Sequence, residues 1–311
     1  MKILVVGAGA TGGYFGARLA QAGQDVTFLV RPRRAAALRE RGLRITGPAQ
    51  PQDEVITPQL LTADELSHPY DLILLSVKST ALKQALDDIT PAVGPDTAIV
   101  PFLNGMAHLD ELNSRFGTGP VLGGVAKVVT TVDANGDIVR LAPLAAITLG
   151  EQNSPTDSPR TQAIHTALTE AGITTTLSPA IVSAMWHKWV FISTLSAVTI
   201  LMRGSLAAIN AVPGGADLGP AILAEAAAVA AAAGYPVPEP ELAATTGMVT
   251  QTGTLTVPST SMFRDVESGQ PTEVEHIFAD LTARARTYGV PTPLLDLVTI
   301  QLRVHETQFK H

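Results

Sequence analysis

The chain has 311 residues, a formal net charge of −7 and no cysteine. The acidic balance argues against a nucleic-acid partner. The absence of cysteine excludes thiol catalysis, disulfides and cysteine-ligated metals, and we expect no metal site. At roughly 100–200 residues per domain, the length suits two domains.

The first thirty residues predict a strand, a glycine-rich turn, a helix and a second strand. An apolar run from Ile3 to Val6 leads into the turn Gly7-Ala8-Gly9-Ala10-Thr11-Gly12. In a dinucleotide-binding βαβ unit, such glycines permit a tight turn, close approach of the pyrophosphate and close packing of helix on strand. The pyrophosphate then lies on the free N–H groups at the positive end of the helix dipole. A tight turn without a ligand explains the pattern less well, because these glycines follow a strand and open a helix.

The end of the second strand indicates which dinucleotide is bound. The run Val26 to Val30 ends at Arg31, and Arg33 and Arg34 follow. An NAD-selective unit places an acidic residue here to bind the ribose 2′-OH, whereas a cation suits a 2′-phosphate. We therefore expect NADP(H), with Arg31 as the contact. For Arg33 and Arg34, a solvated helix start is an equally good explanation.

Two further strands are predicted to end beside the glycine turn. Leu72 to Leu75 is a continuous apolar run that precedes Ser76-Val77-Lys78, and Thr97 to Pro101 leads to Asn104. Ligands of an open α/β sheet bind outside the carboxyl ends of its strands. Lys78 and Asn104 are therefore candidate cofactor contacts. Further along, the pattern predicts an antiparallel addition to the sheet over 121–149, a polar loop over 154–159, a helix over 161–171 and a last strand over 173–177.

The second half of the chain is predicted to be helical. Ser178-Pro179 is the expected boundary between a dinucleotide-binding Rossmann domain, residues 1–178, and a helical domain, residues 179–311. The fold class is therefore α/β followed by all-helical. Polar residues interrupt the longest apolar stretch, Met185 to Met202, and the N-terminus runs directly into a strand. We expect a cytoplasmic protein without a membrane partner. Helices are predicted over 180–201, 218–233, 241–251, 273–288 and 293–307.

Two charged residues of the helical half are candidates for chemistry. Lys188 lies in an otherwise apolar and aromatic segment, where it either extends to the surface or faces a cleft as a proton donor. The residues alone do not separate these two readings. Glu273 opens a predicted helix, and a favourable interaction with the helix dipole is enough to explain it.

The order of several short motifs along the chain resembles the ketopantoate reductase family. The glycine turn and Asn104-Gly105-Met106 are the distinctive ones, and the set spans nearly the whole chain. The other matching stretches are Ser76-Val77-Lys78, Trp186-His187-Lys188, Ser259-Thr260-Ser261-Met262-Phe263-Arg264-Asp265 and Thr272-Glu273.

The resemblance implies NADPH-dependent reduction of a 2-oxo acid, with the active site between the two domains and 2-dehydropantoate as the leading substrate. It makes Lys188 the proton donor and substrate contact, and it makes Glu273 the residue that holds this lysine or a water. It assigns the substrate carboxylate to Ser261. Asn104 would bridge cofactor and substrate, and Lys78 would lie near the cofactor. The family also permits a homodimer.

The substrate-recognition positions depart from the family pattern. Members that reduce ketopantoate have asparagines one and two turns after the lysine, where this chain has Ile192 and Ser196. Isoleucine cannot bind a substrate hydroxyl, although Ser196 keeps a polar group. A more apolar 2-oxo acid or ketone is therefore an alternative substrate, and an NADP(H)-binding sensor without turnover is an alternative of another class.

Overall fold

The computed structural model describes residues 1–153, 158–252 and 260–309. Most of the predicted loop over 154–159, as well as Ser259, falls outside these residues. The chain forms two compact units. The first comprises Met1–Leu103 and His108–Ile181, and the second comprises Asn104–Ala107 and Val182–His311.

The first unit alternates strands and helices. Its strands are β1 (Lys2–Val6), β2 (Asp25–Leu29), β3 (Leu43–Thr46), β4 (Glu54–Ile56), β5 (Gln59–Leu61), β6 (Leu72–Leu75), β7 (Ala98–Pro101), β8 (Leu122–Val132), β9 (Ile138–Glu151) and β10 (Thr174–Leu177). Its helices are α1 (Ala10–Gln21), α2 (Pro32–Arg41), α3 (Leu82–Ile89), α4 (Ala107–Phe116) and α5 (Pro159–Glu170).

A parallel sheet forms the centre of this unit, with strand order β5-β2-β1-β6-β7. Val6 at the end of β1 pairs with Leu29 of β2 on one side and Leu75 of β6 on the other. The β1 and β6 strands are apolar because their inner residues are almost wholly buried. The register brings the carboxyl ends of these three strands together at the glycine turn. The predicted Rossmann-type arrangement is confirmed.

A second sheet was not predicted. We expect the region 121–149 to extend the first sheet, but β9 instead pairs with β8 in antiparallel fashion and with β3 and β10 in parallel fashion. An isolated parallel bridge between Ile99 and Val121, the residue before β8, joins this region to the first sheet. Both edges of β9 are thus paired within the second sheet, so the hairpin formed by β8 and β9 belongs to a sheet separate from the first.

The second unit is helical, as expected. Two of its helices, α6 (Ile181–Met202) and α8 (Gly215–Ala232), have the length and apolar composition of a membrane span, but 61% of the most apolar stretch of α6 and 33% of that of α8 are buried inside the chain. Core helices of soluble proteins can have the same length and composition, so these two helices are weak evidence for a membrane span. The helices are α6 (Ile181–Met202), α7 (Leu206–Asn210), α8 (Gly215–Ala232), α9 (Glu239–Val249), α10 (Ser261–Glu267), α11 (Asp280–Thr287) and α12 (Pro293–Glu306).

The helix expected over 273–288 is interrupted. A π-helical turn occupies Glu275–Ala279, and α11 continues from it. Glu273 precedes the turn, and its main-chain oxygen accepts hydrogen bonds from the N–H groups of His276 at 3.1 Å and Ile277 at 3.0 Å. Single π turns inside helices are uncommon and frequently occur at functional sites.

Candidate active site

The glycine turn of the first unit is packed tightly against the end of β6. Gly7 has φ +97°, and a Cβ there would lie 2.7 Å from the main-chain oxygen of Ser76. A Cβ at Gly12 would lie 2.8 Å from the Ser76 Cβ. Both positions therefore require glycine, and they bring the turn beside Ser76. Lys78 follows two residues later with an exposed side chain.

Gly9 has a different environment, because it faces open space. No described atom lies within 4 Å of a Cβ built at this position. Gly9 is also the N-cap of α1, and no side chain caps the helix there. The N–H groups of the first turn have no intrahelical partner. An uncapped helix start with open space before it fits the pyrophosphate of a dinucleotide.

Arg34 has a role that the sequence did not reveal. Its Nη2 donates to the main-chain oxygen of Ala8 in the glycine turn at 3.1 Å and to that of Gly136 at 2.8 Å. Burial lowers the pKa of this guanidinium, and the charge of Asp137 acts in the opposite direction. Arg34 thus joins the turn to the β8–β9 hairpin. No local pattern signals this, because the partners are 26 and 102 residues away.

The other two arginines of this cluster are exposed. Arg31 is the N-cap of α2, with an extended backbone, and Arg33 lies in the first turn of that helix. Because Arg34 is bound to main-chain oxygens, Arg31 and Arg33 are the arginines whose side chains are exposed to solvent at the end of β2.

Asn104 belongs to the helical unit by its contacts, although it follows β7 in the chain. Its neighbour Gly105 has φ +79°, and a Cβ there would collide with the main-chain oxygen of His276. The same Cβ would lie 3.8 Å from the ring of Trp189. The segment 104–107 therefore packs against the π-helical turn and α6, and the glycine after Asn104 is required for that approach.

Lys188 lies on α6 and is half-buried. The next residue, Trp189, is fully buried and donates its indole N–H to the main-chain oxygen of Ile277 at 3.0 Å. Ile277 in turn donates its main-chain N–H to Glu273. Two hydrogen bonds therefore link the neighbour of Lys188 to the backbone of Glu273, which brings the segments of both predicted catalytic residues into one connected region of the helical unit.

Aromatic stacking holds this part of α6. The rings of Trp186 and Trp189 lie 4.9 Å apart, and Trp186 stacks on Tyr235 at 5.7 Å. The guanidinium of Arg284 lies 5.8 Å from the centroid of each tryptophan ring. His187 contacts the main-chain oxygen of Pro236 at 3.2 Å. These contacts limit the rotation of α6 about its axis and so restrict the position of Lys188.

The surface of α6 around Lys188 is apolar. Phe191 and Ile192 are half-buried and lie three and four residues after Lys188, so they neighbour it on the helix surface. Ser196, one turn beyond Ile192, is only 4% exposed. The Oγ of fully buried Ser193 has no hydrogen-bond partner among the described residues. The accessible neighbours of the lysine on this helix are therefore hydrocarbon.

Ser261 is the exposed first residue of α10, and the side chain of Thr260 caps that helix by accepting the N–H of Phe263. Arg264 follows one turn later and is half-buried. Burial lowers the pKa of the Arg264 guanidinium, while the charge of Asp265 acts in the opposite direction. A partly desolvated cation one turn from Ser261 is a suitable group for an anionic ligand, and sequence reasoning did not single it out.

Comparison with known proteins identifies the family. The family described as ketopantoate reductase PanE/ApbA matches residues 3–154, and its C-terminal counterpart matches residues 180–306. The chain is 32% identical over 308 residues to the "Uncharacterized oxidoreductase YkpB" of Bacillus subtilis, covering 99% of this chain and 100% of that protein.

Two relatives have more specific names. A "2-dehydropantoate 2-reductase" of Mesorhizobium japonicum is 28% identical over 327 residues, with 97% of each chain covered. The crystal structure of 2-dehydropantoate 2-reductase from Methylococcus capsulatus superimposes with a TM-score of 0.85 at 30% identity, covering 100% of this chain and 98% of that one. The chain therefore belongs to the ketopantoate reductase family of oxidoreductases.

Proposed function

We propose that the chain catalyses the NADPH-dependent reduction of a 2-oxo acid to a 2-hydroxy acid. The leading reaction is 2-dehydropantoate to pantoate, a step of pantothenate biosynthesis. The observation that carries the proposal is the connection of half-buried Lys188, through Trp189 and Ile277, to the backbone of Glu273 in a chain of this family. The names of the Mesorhizobium and Methylococcus relatives support the choice of substrate.

In the proposed reaction, Lys188 donates a proton to the carbonyl oxygen of the substrate. Its ammonium also stabilises the negative charge that develops on this oxygen. Glu273 orients the ammonium or a bound water. Ser261 binds the substrate carboxylate, with Arg264 as the nearby cation, and Ser196 contributes a polar group to the substrate side. Asn104 contacts both substrate and cofactor.

The first unit supplies the cofactor contacts of the proposal. NADPH, when bound, provides the hydride. The turn from Gly7 to Gly12, with the uncapped start of α1, holds the pyrophosphate. Arg31 binds the 2′-phosphate, since its side chain is exposed at the end of β2, and Lys78 lies beside the turn. The boundary at 178/179 separates this cofactor domain from the catalytic one, and we place the enzyme in the cytoplasm.

A more apolar 2-oxo acid is the second candidate substrate. The half-buried neighbours of Lys188 on α6 are Phe191 and Ile192, and neither can bind a substrate hydroxyl. A site without a hydrogen-bond partner for a hydroxyl gains little binding energy from a hydroxyl on the substrate. This surface suits a 2-oxo acid whose side chain is branched or aromatic and carries no hydroxyl.

The test is NADPH oxidation with a panel that contains 2-dehydropantoate, branched-chain 2-oxo acids and phenylglyoxylate. We expect turnover of at least one acid. A clear preference for 2-dehydropantoate supports the leading assignment, and a preference for the apolar acids supports the second. Tight NADPH binding without turnover of any acid would contradict both and would identify a sensor.

A further inference from the structure

The last turn of α12 contacts the segment that leads to Glu273. The Oε1 atom of Glu306 accepts the main-chain N–H of Thr272 at 2.7 Å and the hydroxyl of the same residue at 2.7 Å. Thr272 immediately precedes Glu273 in the chain and is only 4% exposed. One carboxylate oxygen therefore holds both the backbone and the side chain of the residue before the predicted catalytic glutamate.

This contact matters because the backbone here has no regular structure. Residues 270–273 belong to neither a helix nor a strand, and the π-helical turn begins only at Glu275. Pro271 has no N–H group to donate. In such a segment the conformation depends on hydrogen bonds to other elements of the fold. The bonds from Thr272 to Glu306 are of this kind, because their partners are 34 residues apart.

Two further side chains near the end of α12 contact the same segment. Arg303 pairs with Glu275 at 2.7 Å, and Nε2 of His305 lies 2.9 Å from the main-chain oxygen of Gln270. The end of α12 thus contacts the chain on both sides of Glu273. Both of these contacts are exposed to solvent, and exposed ion pairs contribute little to stability.

The bonds from Thr272 to Glu306 are stronger than these two contacts. Thr272 is buried, so its N–H and hydroxyl lose their partner at a high cost when the carboxylate is removed. Hydrogen bonds to an ionised acceptor are also about twice as strong as those between neutral groups. Glu306 is therefore the side chain through which α12 fixes the backbone at the start of the π-helical turn.

We propose that Glu306 is a positioning residue, which acts on the reaction only through Glu273. Trp189 of α6 bonds to the turn after Glu273, and Glu306 of α12 bonds to the residue before it. Two different helices thus hold the backbone on either side of this glutamate. Glu273 orients the ammonium of Lys188 or a water under the proposed function, on which the inference rests. Because small displacements of catalytic groups are costly for the rate, loss of Glu306 lowers kcat.

The first test needs no turnover. Hydrogen–deuterium exchange of the full chain, read by mass spectrometry on peptides that cover 268–279, reports how often this backbone opens. Glu306→Ala should raise exchange there by about tenfold, whereas Glu306→Gln keeps an acceptor oxygen and should raise it much less. The matched control is Glu225→Ala. Glu225 is also half-buried and accepts the N–H groups of Leu294 and Leu295 at the other end of α12, so exchange over 268–279 should not change.

The second test separates positioning from general stability. With the best 2-oxo acid of the panel, Glu306→Ala should lower kcat by about tenfold, with little change in KM or in the dissociation constant for NADPH. Glu306→Gln should recover most of the lost kcat. Glu225→Ala should lower the thermal midpoint as Glu306→Ala does but leave kcat nearly unchanged. In a Glu273→Gln background, Glu306→Ala should have little further effect on kcat, because the group that it positions is already lost.

Unchanged exchange over 268–279 in Glu306→Ala would overturn the proposal. So would a loss of kcat that Glu225→Ala shares, or one that adds fully to the loss in Glu273→Gln. Each of these results leaves the proposed function in place when the wild-type chain reduces an acid of the panel. A wild-type chain that reduces none of them contradicts the proposed function and removes the catalytic role of Glu306, even where the exchange result confirms that Glu306 holds the segment.

Discussion

Trp189 donates its indole N–H to the main-chain oxygen of Ile277 at 3.0 Å, within the π-helical turn that follows Glu273. The donor is fully buried and adjoins Lys188 in the chain. Gly105 approaches the carbonyl of His276 in the same turn so closely that a Cβ at position 105 would collide with it. Buried contacts therefore fix the backbone next to Lys188 and the turn after Glu273, the two predicted catalytic residues of the helical unit.

Replacement of Trp189 by phenylalanine removes this donor and keeps an aromatic ring. An unsatisfied buried carbonyl costs about 1–3 kcal/mol, and small displacements of catalytic groups are costly for the rate. We expect kcat to fall by about tenfold or more, with the affinity for NADPH unchanged. In a Glu273→Gln background the same change should have little further effect on kcat, because the group being positioned is already lost.

Trp186→Phe is the matched control for that variant. Trp186 is a neighbouring buried tryptophan on α6, whose ring stacks on Tyr235 and also contacts Trp189 and Arg284. Its replacement should lower the thermal midpoint without the specific loss of kcat. Equal kcat values for the two variants, or additive losses with Glu273→Gln, would show that Trp189 has no positioning role.

Substitutions of the arginines after β2 should affect cofactor binding in two different ways. Arg31→Asp should shift cofactor preference from NADPH toward NADH, because it replaces a cation for the 2′-phosphate with an acceptor for the 2′-OH. Arg34→Ala should weaken both cofactors alike, since it releases the main-chain oxygen of Ala8 in the glycine turn. The measurement is the ratio of kcat/KM for NADPH and NADH. A ratio unchanged in Arg31→Asp would refute the assignment of that residue, and exposed Arg33→Ala serves as the control.

These two arginines also show where prediction from the sequence ends. The strand, glycine turn and helix at the N-terminus were predicted correctly because apolar runs and glycines act on the backbone next to them. The function of Arg34 was left open, because only the tertiary fold brings its partners Ala8 and Gly136 to it. The same reason applies to the hydrogen bond between Trp189 and Ile277, whose residues are 88 positions apart.

Several elements of secondary structure were not predicted, and two of them have related causes. The short strand β5 was not predicted, because three residues bear little periodicity and its pairing with β2 stabilises it. The π-helical turn at Glu275–Ala279 interrupts a segment whose composition predicts a continuous helix. In the candidate site, residue types were informative about chemistry, whereas the contacts that hold those residues depend on the tertiary fold.

Ile192 should control the choice of substrate. Ile192→Asn introduces a hydrogen-bonding group one turn after Lys188, at a half-buried position. We expect kcat/KM for 2-dehydropantoate to rise relative to that for an apolar 2-oxo acid, by about tenfold or more. Leu201→Asn, a similar change near the end of the same helix, is the control. A ratio that does not move would exclude Ile192 from substrate recognition.

The pair formed by Glu151 and Arg160 should make stability depend on pH. Arg160 donates two hydrogen bonds to the carboxylate, at 2.8 and 2.6 Å, and Ser158 donates a third at 2.7 Å. The bonds from Arg160 outweigh burial and lower the pKa of Glu151 from its ordinary value of 4.5. Because the folded pKa lies below the unfolded one, the stabilisation is present above pH 4.5 and is lost as the pH falls through the folded pKa.

Glu151→Gln should therefore lower the free energy of unfolding at pH 7 by about 1 kcal/mol. It should have progressively less effect below pH 4.5. Urea unfolding across this pH range measures the difference, and Glu170→Gln, at an exposed position in α5, is the control. A destabilisation that is the same at pH 3 as at pH 7 would contradict the role of the ionised carboxylate.

The most direct test of the catalytic account is Lys188→Ala with the best 2-oxo acid of the panel. The variant lacks the proposed proton donor but keeps the glycine turn and Arg31 in the other unit. We predict that kcat falls by about 10²–10⁴-fold, while the dissociation constant for NADPH, from fluorescence titration, changes by less than about twofold. Exposed Lys83→Ala controls for the loss of a lysine. An unchanged kcat in Lys188→Ala would contradict the assignment of Lys188 as the proton donor.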